Sequence, residues 1–219
     1  MSEAGAGAGK PGRPDDGEAP EIGGTAQGVA PDGRPWVHPL TRAAWRTWLV
    51  EHHLTSKGVH LVTWRRPTGR ARVEYEDAVE EALCVGWIDS TLRRLDPDRT
   101  MLWFAPRRPG SVWARSNKER VTRLAAAGRM LPAGLAAVEE AKRTGAWTIL
   151  DEVEALIVPD DLGEALDGRP PARRRWDTAS RSTRQRLLWW IRQAKRPETR
   201  AKRVRETTEM ALRDELIAR

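Results

Sequence analysis

Cys84-Val85-Gly86-Trp87-Ile88-Asp89-Ser90-Thr91-Leu92-Arg93-Arg94-Leu95-Asp96-Pro97-Asp98-Arg99-Thr100-Met101-Leu102-Trp103-Phe104-Ala105 decides the fold, because the hydrophobic period changes inside it. Upstream, Tyr75, Ala78, Val79, Ala82 and Leu83 recur at i, i+3, i+4, i+7 and i+8, the pattern of a helix with one face on a core. Gly86 is placed to end that helix. From Trp87 to Leu95 the side chains alternate instead, with Ile88, Ser90 and Leu92 on one face and Trp87, Asp89, Thr91 and Arg93 on the other. Asp96-Pro97-Asp98 supplies a turn, since proline presets the backbone angle and aspartate bonds back to the chain. Thr100 to Ala105 is then expected to pair antiparallel with the strand before it. A helix running into a hairpin points to an α+β fold.

Working outward, Thr41 caps a predicted helix in which Trp45, Trp48, Leu49 and His52 share a face, and Lys57-Gly58 ends it. Val59 to Trp64 reads as a strand that stops at the turn Arg66-Pro67-Thr68-Gly69. Pro106 and Pro109 forbid strand or helix after the hairpin, and Ser111 is expected to cap a helix reaching about Ala127. Pro132 suits the first position of a further helix, with Gly145 as its stop. Residues 34–150 are thus expected to be an α+β core domain, a small antiparallel sheet of about three strands covered by helices. Residues 151–171 read as a linker with one short acidic helix. Residues 172–219 read as a basic helical C-terminal domain, a hairpin or small bundle. Its first stripe is Leu187, Trp190, Ile191 and Ala194, and its second, after Pro197, is Ala201, Val204, Thr208, Ala211 and Leu212. Nineteen of the first 33 residues are Gly, Ala or Pro, so residues 1–33 are expected to be a disordered tail.

Of 219 residues, 39% are hydrophobic and eleven are Trp, enough apolar surface for a core. No apolar run approaches the roughly 18 residues of a membrane helix. The start Met1-Ser2-Glu3-Ala4-Gly5 lacks a positive and then an apolar region, so no signal peptide is expected and a cytoplasmic location is. Cys84 is the only cysteine, which excludes an internal disulfide and a cysteine-based zinc site, and its apolar neighbours place it in the core. His38, His52, His53 and His60 form no i, i+4 pair, so no metal is expected, and no phosphate loop or dinucleotide fingerprint implies a cofactor.

Two groups of residues have the chemistry of a binding site. In the first, Asp89 and Arg93 project from one strand face while Arg107, Arg108 and Ser111 gather at a helix entrance. Free N–H groups beside two arginines make an anion site. Trp87, Trp103 and Trp113 supply its walls, and Asn117 and Arg120 follow on the helix. The bland reading of the same residues is a turn, a cap, an Asp89–arginine pair and buried tryptophans. The second group lies between Arg169 and Arg205, where fourteen Arg or Lys face only Asp177 and Glu198, giving +12 in a chain of net charge +7. Arg173, Arg174, Arg175, Arg181, Arg184, Arg192, Lys195 and Arg196, with Trp189, are candidates to track a phosphate backbone. The bland reading is that they solvate helix faces, and no helix-turn-helix or RRM motif is legible. An enzyme with a site near Asp89 ranks below both, because Ser90 lacks a partner histidine, Glu76 and Glu80 read as a solvated helix face, and Cys84 is buried among apolar residues.

Tyr75-Glu76-Asp77-Ala78-Val79-Glu80-Glu81-Ala82-Leu83, Gly86-Trp87-Ile88-Asp89-Ser90, Phe104-Ala105-Pro106-Arg107-Arg108-Pro109-Gly110-Ser111-Val112-Trp113 and Asn117-Lys118-Glu119-Arg120 together resemble the YdeI/OmpD-associated family, also called bacteriocin-protection proteins. Ala194-Lys195-Arg196-Pro197-Glu198-Thr199-Arg200-Ala201-Lys202-Arg203-Val204 resembles that family's C-terminal signature, so the resemblance covers about residues 36 to 216. Ala114 departs from it, standing where the family favours serine. The resemblance implies a role in resistance to envelope or antimicrobial-peptide stress. With the residues themselves it leads to the expectation of a non-catalytic, tryptophan-rich, basic binding protein holding a small anionic ligand or peptide. The alternative is nucleic-acid binding by the C-terminal arginines. No sequence feature marks an oligomeric state.

Overall fold

The computed structural model describes residues 25–216 and the backbone of Glu21–Ile22. The chain divides into two units, one reaching to Tyr75 and taking in Asp89–Ala105, the other made of Glu76–Ile88 and the chain from Pro106 onward. Of the disordered tail expected over residues 1–33, residues 25–33 are instead ordered as a strand and a turn, and residues 1–20, 23 and 24 lie outside the described residues.

The first unit is a sheet with one helix. Its strands are β1 (Glu21–Ile22), β2 (Thr25–Val29), β3 (Pro35–His38), β4 (Val59–Trp64), β5 (Trp87–Arg94) and β6 (Arg99–Pro106), and α1 (Arg42–His52) connects β3 to β4. Among the described residues the order is β1-β2-β3-β4-β6-β5. Central β4 pairs antiparallel with β6, from Val59 opposite Phe104 to Trp64 opposite Arg99, and parallel with β3 through Trp36 opposite His60. A parallel neighbour requires a crossover, which α1 provides. The Thr41 hydroxyl caps α1 by accepting from the Ala44 amide at 3.1 Å. Trp45 and Leu49, fully buried, meet the sheet face bearing Phe104, with the Trp45 and Phe104 rings 5.3 Å apart. The opposite face holds a smaller cluster of Ala30, Val62 and Met101 with Trp36 and Leu95 against it.

The expected sheet of about three antiparallel strands is therefore too small and too uniform. The additional strands lie in the glycine-rich segment, where composition hid a hairpin. Pro31-Asp32-Gly33 turns the chain with Gly33 at φ 77°, and the Ala30 amide donates to the Arg34 carbonyl at 2.8 Å. Gly28 is needed here: a Cβ on it would lie 2.8 Å from the Trp36 ring that covers it.

In the second unit, α2 (Tyr75–Cys84), α3 (Arg115–Ala126) and α4 (Pro132–Arg143) precede five further helices, α5 (Asp151–Glu154), α6 (Asp160–Asp167), α7 (Pro170–Thr178), α8 (Arg181–Arg192) and α9 (Pro197–Leu212). Ala78, Val79, Ala82, Leu83 and Cys84 of α2 are buried, and so is Glu81 at 1% exposure. Glu81 forms an ion pair with Arg129 just beyond α3, Glu80 pairs with Arg123 at 3.1 Å, and Glu76 accepts two bonds from Arg120 at 2.8 and 2.6 Å. The end of α2 also meets α4: the Leu131 amide donates to the Cys84 carbonyl at 2.9 Å, one turn before Gly134. Further along, Leu162, Leu166, Trp176, Leu187, Ile191 and Ala211 form the core of the C-terminal helices.

Two expectations are corrected here. Residues 151–171, expected as a linker with one short acidic helix, hold two helices, α5 and α6, which insert Val153, Leu162 and Leu166 into that core. Their apolar pattern is too short to stand out against the acidic, Pro- and Gly-bearing sequence around it. Ser111 does not cap α3, which begins at Arg115 with Ala114 before it.

Gly134 and Gly163 make opposite predictions. Replacing an interior helix glycine by alanine gains up to about 1 kcal/mol of helix propensity where space allows. At Gly163 the nearest atom to a new Cβ is 4.0 Å away, so Gly163→Ala is expected to raise the urea midpoint. At Gly134 a Cβ would lie 2.3 Å from the Cys84 carbonyl oxygen, so Gly134→Ala is expected to lower it despite the same propensity gain.

Candidate functional site

The turn between β6 and α3 is pinned at both ends. The Arg107 amide donates to the Gly86 carbonyl at 3.0 Å, and the Ser111 amide donates to the Arg108 carbonyl at 3.0 Å across Gly110, whose φ is 76°. After that turn Trp113 is buried against Trp147, their rings 5.1 Å apart. The Arg107 guanidinium lies over the Trp113 ring at 3.5 Å, and its Nη1 donates to the Ser111 hydroxyl at 3.3 Å and the Val112 carbonyl at 3.2 Å. Such a stack fixes the position of the guanidinium.

Arg107, Arg108, Ser111 and Trp113 line one side of a cleft of about 110 Å³, and Ala137, Glu140, Ala141 and Ala146 line the other. Arg108 is exposed on the cleft wall and has no ion-pair partner among the described residues. The one carboxylate in the wall is already compensated: Arg143 donates to Glu140 at 2.7 and 2.8 Å and holds its pKa below the ordinary value. The cleft thus offers two cations and a short apolar wall to an anion.

The expected anion site at the start of α3 is filled by the chain itself. The Arg115 amide donates to both oxygens of Glu154, at 3.1 and 3.0 Å, and Lys118 pairs with Asp151. Asn117 and Arg120 bond each other at 2.9 Å while Arg120 grips Glu76, and Trp87 is buried at 1% exposure. Asp89, Arg93 and Trp103 belong to the first unit. Asp89 accepts from the Tyr75 hydroxyl at 3.0 Å, so the expected Asp89–arginine pair is replaced by this bond. Arg93 lies 3.7 Å from Asp32. Trp103 meets His60 edge-on at 4.7 Å and carries Arg34 over its ring at 4.6 Å.

Sequence reasoning missed a group centred on His60, which is 1% exposed with Nε2 3.0 Å from the Asp32 carboxylate. Strand alternation places His60 on the same side as Val62, but Asp32 falls in the segment expected to be a tail. Of the C-terminal cations, Arg173 is held by Asp177 and Asp167 at 3.0 and 2.8 Å, Arg175 pairs with Asp214, and Arg192 with Glu152 at 2.6 Å. Arg184 is half-buried, and its Nε is fully enclosed. Arg174, Lys195 and Arg196 are exposed and have no ion-pair partner among the described residues. Arg181 donates to the Glu154 carbonyl, and Trp189 lies half-buried against the helical core.

Fold and cleft define an α+β protein with a mixed sheet, a helical C-terminal bundle and a cationic, tryptophan-backed cleft. Residues 155–214 match the family model described as Bacteriocin-protection, YdeI or OmpD-Associated, so the C-terminal helices are similar to that family. Residues 37–137 match a different model, a domain of unknown function (DUF8412). The resemblance expected over 36 to 216 is therefore shown for the C-terminal part, and the motifs around Gly86 and Arg107 fall within the other match. No curated protein and no solved structure matches the chain. Among the described residues, no helix is long and apolar enough to cross a membrane.

One buried group outside the cleft sets a pH dependence. His38 is 7% exposed beside Trp64, and burial pushes its pKa down to about 4, with Arg99 acting in the same direction and Asp96 against it. The unfolded chain takes up this proton near pH 6.5, the folded chain only near 4, so protonation favours unfolding across that window. Stability is expected to fall by about 1.4 kcal/mol per pH unit as pH drops through it. Urea titrations should show a shallower fall for His38→Gln than for the parent chain.

Proposed function

We propose that this protein is a non-catalytic cytoplasmic binding protein whose cleft between Arg107 and Ala146 holds a small carboxylate- or phosphate-bearing group. The match of residues 155–214 supports a role in envelope or antimicrobial-peptide stress resistance, though that match does not include the cleft. The observation that carries the reading is that Arg107, Arg108, Ser111 and Trp113 line one cavity, with Arg107 fixed on an indole face. A cation already held in place loses little side-chain freedom on binding, and a hydrogen bond to a charged group contributes about 1.5–3 kcal/mol. The cleft has room for a few heavy atoms, since a water occupies about 30 Å³ of liquid. A charged head on a short apolar stem therefore fits, and the end of a peptide chain has that chemistry.

Calorimetry with acetate, phosphate and a short peptide, compared with the same peptide amidated at its C-terminus, tests the reading. At least one anion is expected to bind. Arg107→Ala should abolish that binding, and exposed Arg108→Ala should weaken it by about fivefold to tenfold without changing the melting temperature. Equal affinity in the parent and both variants would remove the cleft from consideration.

A further inference from the structure

From Thr178 to Pro197 the chain contains no Asp or Glu but has Arg181, Arg184, Arg186, Arg192, Lys195 and Arg196. Helix α8 sorts this run by face. Thr183, Leu187, Leu188 and Ile191 are buried, so Arg181, Ser182, Gln185, Arg186, Trp189 and Arg192 share the opposite face, about 17 Å long at 1.5 Å per residue. Among the described residues, only Arg192 of its cations meets a carboxylate. Arg181 donates to the Glu154 carbonyl and Arg186 to the Leu216 carbonyl at 2.8 Å, contacts that orient the side chains, and neither meets a carboxylate among the described residues. Lys195 and Arg196 continue the line with no ion-pair partner among the described residues. Of the acids in α5 and the first turn of α9, Glu154 accepts from the Arg115 amide, Glu152 pairs with Arg192, and Glu198 is the one acid at the start of α9. Trp189 is the half-buried aromatic within this cationic surface, anchored on the core along one side.

We infer that the outer face of α8 and the turn that follows it form a docking surface for single-stranded nucleic acid. Arg181, Arg186, Lys195 and Arg196 meet phosphates, and Trp189 stacks an unpaired base. The occupant follows from the charge and its spacing: a row of cations uninterrupted by acids complements a regularly charged polyanion, and a tryptophan within it matches the base-stacking platforms of single-strand binding. A duplex would bury its base faces away from Trp189. The surface is separate from the Arg107 cleft and does not depend on it. It also differs from the full basic run, because Arg173 and Arg175 are neutralised within the protein and Arg184 turns inward.

Fluorescence anisotropy of a labelled oligothymidylate with the full chain, across a salt titration, tests the inference. Binding is expected at low salt and should weaken steeply as salt rises. Lys195→Glu/Arg196→Glu alters exposed residues with no internal partner, so the fold should survive, which circular dichroism checks, while affinity falls at least tenfold. Trp189→Ala should weaken binding by about fivefold to a hundredfold. Arg174→Glu, on α7, should leave it unchanged. Absence of binding at low salt, or binding that Lys195→Glu/Arg196→Glu leaves intact, overturns the inference. So does binding of duplex DNA or polyglutamate as tight as that of the single strand with no effect of Trp189→Ala, which would mark a general polyanion surface.

Discussion

The second unit is organised by the need to satisfy one carboxylate. Glu81 lies on the buried side of α2, where an unpaired charge would cost several kcal/mol. Arg129 removes that cost only if the end of α3 stays beside α2, and the Glu80–Arg123 and Glu76–Arg120 pairs repeat the constraint along both helices. With α2 so placed, its last turn receives α4 through the Cys84 carbonyl, and the Gly86 carbonyl just beyond receives the Arg107 amide. The two walls of the cleft, the Arg107 turn and the alanines of α4, are thereby both referred to α2. A buried ion pair is weak evidence for stability in itself, but here it fixes the register of two helices that carry the candidate site.

Arginine has two physical uses in this chain. At Arg120, Arg173 and Arg200 the planar fork is closed by carboxylates, and the residue acts as a clamp between elements. At Arg107 and Arg203 it lies over a tryptophan and donates to main-chain carbonyls, which fixes its position. The second arrangement gives the guanidinium a defined place against the ring. Charge counting over the sequence cannot separate these uses, since both contribute equally to a local balance of +12 between Arg169 and Arg205.

Elements with long one-sided patterns and their own stop signals were legible: α1, α2, α4, β4 and the β5–β6 hairpin match the sequence reading closely. What escaped it depended on distant partners. Strand β2 sits in glycine-rich sequence and β3 is only four residues long; they gain definition from pairing with each other and, for β3, with β4. Glu81 resembled its neighbour Glu80, and only an arginine 48 residues away identifies it as buried. In the candidate site, Arg107, Arg108, Ser111 and Trp113 were found together because two prolines and a glycine confine them to one turn. Asp89, Arg93 and Trp103 were grouped with them by strand alternation, which gives the face of a residue but not the unit to which it belongs.

The hairpin formed by β2 and β3 also determines where this chain can be shortened. Composition invites a cut at residue 33, but the main-chain groups of Val37 and its neighbours on that side are satisfied by β2, and Asp32 is the partner of His60. A chain beginning at Arg34 would leave β3 as a bare sheet margin, with Trp36 uncovered above the missing Gly28. Unguarded margins of this kind recruit strands from other molecules. Residues 25–33 thus serve the first unit as a selvedge, the finished border of β3.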